Sequence, residues 1–233
     1  MSGKTKPSRQ ELYEDLHGRI VRGDVRPGEL MNETKVGDAY GLSRTPVREV
    51  FWRLADEGLL RIVPQVGTFV APINIPAVFD AQFLRETLEC RAITEAARLA
   101  GKQDVADLRT LLTQQTAAIA SDDFAGFFVL DEQMHRRLME IAAHPFVWPV
   151  IASAKAQLDR VRFLSLEDRS WPAMIMAQHR RIVSCVSAHD ADGAAEVMRA
   201  HLRTAFAAID RIAAKHPPFF EGDIPPHAQT LPA

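Results

Sequence analysis

Leu42-Ser43-Arg44-Thr45-Pro46-Val47-Arg48-Glu49 is the stretch on which the fold turns. Ser43 is an N-cap residue, Val47, Val50 and Leu54 follow at helical spacing, and Gly58 supplies a stop. The pattern predicts a helix over residues 43–57, with Val47, Val50, Leu54 and Leu59 on its buried side. Arg44 and Arg48 are four apart and project together from the other side. A guanidinium bonds guanine O6 and N7 at once, so two of them at a helix start suit the major groove. Thr45 is placed to reach a phosphate or a thymine methyl, and the helix N-terminus itself attracts phosphate. Taken alone, the spacing better fits an ordinary amphipathic helix with solvated arginines. The neighbouring elements change that balance.

Upstream, Ser8-Arg9-Gln10-Glu11 reads as a capping box ahead of Leu12, Leu16 and Ile20, which predicts a helix over residues 8–22. Arg26-Pro27-Gly28 is a turn. Asn32 caps a short helix that runs to Tyr40 and stops at Gly41. Downstream, residues 60–63 and 68–71 are short and β-prone, and Pro64-Gln65-Val66-Gly67 is the turn between them. Three helices and then a small hairpin in about 70 residues is the order of a winged helix-turn-helix.

Past this head the composition changes. Pro72 and Pro76 bracket a linker, residues 73–76. From 77 to 215 alanine and leucine dominate, and helical spacing predicts six stretches: 77–100, 104–120, 122–142, 146–166, 171–189 and 192–214. No strand pattern interrupts them, so an all-helical bundle is expected. Residues 216–233 hold five prolines (Pro217, Pro218, Pro225, Pro226 and Pro232) and read as an extended or flexible tail. The fold class is mainly α: a winged helix-turn-helix, DNA-binding domain over 1–72 and an all-helical domain over 77–215.

Charge totals say little. Residues 1–72 carry 11 Lys/Arg against 10 Asp/Glu, and residues 73–233 carry 17 against 20, so DNA binding rests on local placement. The two cysteines, Cys90 and Cys185, lie far apart, which argues against a disulfide scaffold and fits a reducing cytoplasm. The polar, basic start has no signal-peptide core and no run is apolar enough for a membrane helix. A cytoplasmic protein with no membrane association is therefore expected.

The Ser43-Arg44-Thr45-Pro46-Val47-Arg48-Glu49 run, with Arg26-Pro27-Gly28, Glu57-Gly58-Leu59-Leu60 and Gly67-Thr68-Phe69-Val70, resembles the GntR family of bacterial transcription regulators. That resemblance implies a homodimer on palindromic operator DNA. Arg44 and Arg48 would read bases, Ser43 and Thr45 would contact the backbone, and the wing near Gly67 would meet the minor groove. Thr34 stands where many members carry a basic residue, with Lys35 beside it. The helical part is similar to the FadR-like branch with its FCD domain. The matching words are Arg85-Glu86-Thr87-Leu88-Glu89, Asp131-Glu132-Gln133-Met134-His135, His179-Arg180-Arg181-Ile182 and Met198-Arg199-Ala200-His201-Leu202.

The set implied is Asp131, His135, His179 and His201. Asp131 and His135 are one turn apart on one helix face and can share an ion. Three imidazoles and a carboxylate suit Zn²⁺, Ni²⁺ or Mn²⁺, with positions open to water or ligand, and suit Ca²⁺ poorly. His17, His189, His216 and His227 fall in no such pattern and read as ordinary hydrogen-bonded histidines. A small carboxylate effector would sit on the metal and on a guanidinium, for which Arg85 is the candidate; the plainer reading of Arg85 is a surface pair with Glu89. His144-Pro145 stands where the family often has an asparagine, and Gln178 where an acid is frequent. The expected function is a regulator, most simply a repressor. The rival is a metal-dependent hydrolase-type enzyme, for which Glu132 and Glu140 are the nearby carboxylates and no hydrolase motif is present.

Overall fold

The computed structural model describes residues 7–166, 168, 170–204, 209–223 and 225. Helices α1 (Arg9–Val21), α2 (Glu33–Tyr40) and α3 (Arg44–Asp56) open the chain. The capping box at Ser8 forms on both sides, and Asn32 accepts from the Lys35 amide. Gly41 takes the left-handed conformation (φ 66°) that ends α2 and turns the chain into α3. Ser43 sits at the N-cap of α3 in an extended conformation but makes no side-chain capping bond, contrary to the capping role expected of it. Its exposed hydroxyl does not serve the helix.

The hairpin is β2 (Leu60–Val63) with β3 (Gly67–Val70), antiparallel, Val63 opposite Gly67. A strand that sequence reading did not include, β1 (Leu30–Met31), pairs on the other edge of β3, so the wing is a three-stranded sheet in the order β1-β3-β2. Leu12, Leu16 and Ile20 of α1 pack on Val47, Val50, Phe51 and Leu54 of α3 with Leu59 and Val70, a single buried cluster.

The presumed linker is structured. Ile73–Asn74 forms strand β4, and Asn74 caps α4 (Ile75–Leu99), whose first turn accommodates Pro76. The tail is structured too over its first residues. A 3-10 turn over Pro217–Phe219 leads into β5 (Phe220–Glu221), which runs parallel to β4. Apolar Phe220 packs against the cluster containing Ile73 and Ile75, and Arg61 pairs with Glu221 at 2.6 Å, which is why proline content misled there. Pro226, His227 and Pro232 lie outside the described residues.

The bundle continues with α5 (Lys102–Ala120), α6 (Phe124–Ile141), α7 (Val147–Ala154), α8 (Ala156–Ser165), α9 (Trp171–Ser187), α10 (Ala191–Thr204) and α11 (Ile209–Lys215). The stretch expected as one helix over 146–166 is two, broken at Lys155, whose ammonium is buried against carboxylates. The stretch expected over 192–214 is described as α10 and α11, with residues 205–208 outside the described set. One apolar cluster joins α4, α5, α6, α9 and α10; a second gathers the start of α4 with α8, the N-terminal half of α9 and α11. Among the described residues, no helix is long and apolar enough to cross a membrane.

Candidate metal centre and nucleic-acid interface

Phe127, Met134 and Leu138 turn one side of α6 into the core, and that side carries Asp131 and His135 with it. His179 enters from α9 between buried Ile175 and Ile182, and His201 from α10 beside Met198 and Leu202. One ligand atom from each of the four lies within 4.8 Å of the others, and all four side chains are buried. His135 Nε2 is 3.1 Å from His201 Nε2 and 4.0 Å from Asp131 Oδ2, and His179 Nε2 is 3.3 Å from Asp131 Oδ1.

The outer nitrogen of each ring is already engaged. His135 Nδ1 lies 2.5 Å from Glu89 Oε2, His179 Nδ1 2.8 Å from Gln115 Oε1, and His201 Nδ1 3.0 Å from Gln178 Oε1. Each oxygen is an acceptor, so a ring in its neutral form carries its proton outward and points an Nε2 lone pair inward. The acceptors are themselves held. Gln115 Nε2 donates to the Leu130 carbonyl, Gln178 Nε2 to Thr204, and Arg85 Nε to Glu89.

In that form three Nε2 lone pairs and a carboxylate converge. His179 Nε2, although close to Asp131, lacks hydrogen-bond geometry and is a buried atom with no partner. A divalent cation of the nitrogen-preferring kind satisfies this set and gives the unpartnered His179 Nε2 a partner. The charges agree. Burial lowers the His179 and His201 pKa values, His201 well below normal, and keeps both rings in the neutral, metal-binding form. Burial would raise that of Asp131, but the Arg162 guanidinium beside it holds it well below the carboxylate range. Glu89, fully buried, is likewise brought to about 2 by Arg85 and His135 against the effect of burial.

Beside the four lies a cavity of about 30 Å³, lined by Asp131, His201, Arg85, Arg162, Phe127 and Trp171 among others. Arg85 is not at the surface, as its plainer reading had it. It is 2% exposed, pairs with Glu89 at 2.6 Å, and leaves Nη2 buried without a partner. Arg162 is the residue that sequence reading missed. It bonds Asp131, Glu132 (2.8 Å) and Asp159 (3.0 Å). Its only sequence signal was a cluster of charges, Lys155, Asp159, Arg160 and Arg162, in a stretch predicted to be core helix.

Neither carboxylate considered as a general base is free. Glu132 is bound by Arg162 and by Lys155 (2.5 Å), and Glu140 by Arg136 (3.1 Å) and Arg137 (3.4 Å). His144 is exposed and its backbone closes α6, so it acts as a helix stop and lies off the cavity. His189 meets the Ala97 carbonyl at 2.8 Å, an ordinary structural role.

At the other end of the chain Ser43, Arg44, Thr45 and Arg48 are all exposed on the first turns of α3, while Val47 and Val50 face the core. Arg48 approaches Glu33 at 3.8 Å and the Trp52 ring at 5.9 Å, loose contacts that leave the guanidinium available. Gly67 starts β3 with φ 151°, and a Cβ there would come within 2.8 Å of the Leu30 side chain. Its glycine is required by that backbone angle, which L side chains rarely adopt, whatever the wing touches.

Residues 8–70 match the description "Bacterial regulatory proteins, gntR family", and residues 80–204 match "FCD domain". An HTH-type transcriptional regulator in an unstable DNA locus of Streptomyces ambofaciens is 37% identical over 231 residues, 99% of this chain and 94% of that one. The HTH-type transcriptional repressor RspR of Escherichia coli K12 is 33% identical over 216 residues, 93% of this chain and 95% of its own. Among solved structures, E. coli McbR/YncC superposes with a TM-score of 0.76 at 18% identity, covering 87% of this chain and 97% of that one. A GntR regulator from Rhodococcus sp. RHA1 gives 0.74 at 19%, covering 89% and 98%. At these identities the structural likeness speaks for the fold.

Proposed function

The chain belongs to the gntR family of bacterial regulatory proteins and carries an FCD domain, and on that premise we propose that it is a homodimeric repressor whose operator affinity is set by a small organic acid at the Asp131–His135–His179–His201 centre. That it is a DNA-binding transcription regulator and not an enzyme follows from the family and its relatives. The repressor role follows the name of the E. coli relative.

The observation that carries the sensing part is the arrangement of the three rings: each Nε2 points inward because an acceptor outside fixes each Nδ1 proton. A bound Zn²⁺, Ni²⁺ or Mn²⁺ would be held by these nitrogens and Asp131, and would supply a Lewis-acidic point for a carboxylate. The chain supplies the rest of the recognition. Arg85 offers an unpaired Nη2 from one wall, and Arg162, whose guanidinium is held by Asp131, Glu132 and Asp159, lines another. Phe127 and Trp171 give the apolar wall for a short carbon chain. The cavity of about 30 Å³ has room for roughly one water. An acid therefore enters only as Arg162 leaves Asp131, and its own carboxylate replaces the one Arg162 gives up.

We read residues 1–72 as the DNA-reading head. Arg44 and Arg48 contact base edges, Ser43 and Thr45 the backbone, and the wing at Gly67 the minor groove. Two heads in a dimer would address the two halves of a palindrome. Binding of the purified protein to its own upstream region, titrated with a panel of small carboxylic acids, tests the reading. One acid should alter a specific, salt-dependent affinity; specific binding that no acid alters would refute the sensing role and leave the regulator.

A further inference from the structure

Helix α8 is charged on one side toward the Asp131 site and polar on the other toward the winged helix. On the first side Arg162 bonds Asp131, Glu132 and Asp159. Lys155, at the start of α8, bonds Glu132 (2.5 Å) and Asp159. Five charged groups thus form one continuous, largely buried ladder running from a ligand of the proposed centre to the N-terminal end of α8.

On the second side, Gln157 donates to the Gly58 carbonyl at 2.5 Å, at the turn between α3 and the wing. Arg160 donates to the Ala71 carbonyl at 2.9 Å, where β3 leaves the wing. Ala156 completes the hydrophobic core of the head itself. Beside this contact a cleft of about 520 Å³ lies between α1 (His17, Val21) and α6 to α8 (Val129, Lys155, Phe163), and Arg61 of the wing pairs with Glu221 at 2.6 Å.

Arg160 is unusual. It is 3% exposed, and among the described residues it has no carboxylate partner, only the Ala71 carbonyl and the Gln157 side chain. Burial alone pulls its pKa down to about 10. A buried guanidinium without a counter-charge is a net cost to folding that an apolar side chain of similar volume would avoid. It grips the Ala71 carbonyl, where the wing joins the bundle.

We propose that α8 is the lever between the two sites, and that Gln157 and Arg160 are positioning residues through which the hold of Arg162 on Asp131 sets the seat of the winged helix. The inference rests on the metal reading of the Asp131 site. With a cation held by Asp131 and the three imidazoles, the bond of Asp131 to Arg162 would weaken, the ladder would re-pair around Glu132 and Asp159, and α8 would shift under the head. The coupling works only to the extent that the two seats differ in their contacts, which the Gly58 and Ala71 carbonyls provide.

The test uses the full chain, stripped with a chelator, and zinc alone as probe. Zinc affinity is measured by calorimetry, and amide hydrogen exchange is followed at Leu59 and Ala71, whose amides adjoin the two carbonyls. The variants are Gln157→Ala and Arg160→Met, the latter keeping the volume so that the fold survives. Wild type should bind one zinc per chain and change its exchange at both amides. The variants should bind zinc equally, keep a cooperative thermal transition, and lose that change. Zinc binding with no exchange response in wild type, or with the same response in both variants, overturns the lever alone. No zinc binding in wild type overturns the metal reading and the lever with it.

Discussion

Replacing His179 by alanine separates the metal centre from a merely packed cluster of histidines. In the metal-free protein the substitution removes a fully buried ring and strands Gln115 Oε1. A large-to-small change at such a site costs about 2–5 kcal/mol. Against this, His179 Nε2 is itself a buried atom without a partner, and removing an orphan of that kind returns about 1–3 kcal/mol. The stranded Gln115 oxygen offsets that return, so the metal-free variant should be less stable by about 2–5 kcal/mol. The larger effect is on zinc. A ligand at a hundred times its Kd stabilises the native state by about 2.7 kcal/mol, which for a chain of this size raises Tm by roughly 5–11 °C. Wild type should show that rise and the variant almost none, because one of three inward nitrogens is gone. Calorimetric melts of chelator-stripped protein with and without zinc, together with metal content by mass spectrometry, give the answer. Equal metal content and an equal rise in Tm for His179→Ala would refute the assignment.

Other outcomes follow from the same geometry. Arg44→Ala with Arg48→Ala should abolish operator specificity, since each bidentate base contact is worth about 1–3 kcal/mol; band-shift titration of operator against random DNA would show the two converge, and retained preference would exclude these residues as readers. Gln115→Leu removes the acceptor for His179 Nδ1 and should weaken zinc binding by about 10–100-fold without touching a ligand, measured by competition with a chromogenic chelator. Arg85→Lys keeps the buried charge beside Glu89 but loses the guanidinium fork. It should retain zinc and lose the response of operator affinity to acid, and an unchanged acid titration would exclude Arg85 from the effector pocket.

The parts of the fold that could be read from sequence are those governed by local rules. Ser8, Asn32 and Gly41 mark helix ends through hydrogen bonds and backbone angles within a few residues, so α1 and α2 fell close to where they were expected. What escaped depends on partners far along the chain. Leu30-Met31 is a strand only because β3 is beside it, and Phe220-Glu221 only because Ile73-Asn74 is free to pair. Proline counting is blind to that pairing. The four candidate ligands were readable as a set because family spacing singles them out, and the structure brings them together. Their outer acceptors were not: Glu89, Gln115 and Gln178 come from three different helices, and nothing local distinguishes Gln115 from any other polar residue on α5. Arg162 was hidden for the same reason, since a charge in an apolar stretch reads as a solvated edge until the opposing carboxylates are seen.

An open metal centre would take the effector's carboxylate, and X-ray absorption at the metal edge of the protein as purified addresses this directly. The account predicts imidazole nitrogens at roughly 2.0–2.1 Å, as expected for zinc, and an oxygen shell that changes when the acid that alters operator binding is added. A spectrum without imidazole scattering, or a closed shell that the same acid leaves untouched, would contradict it.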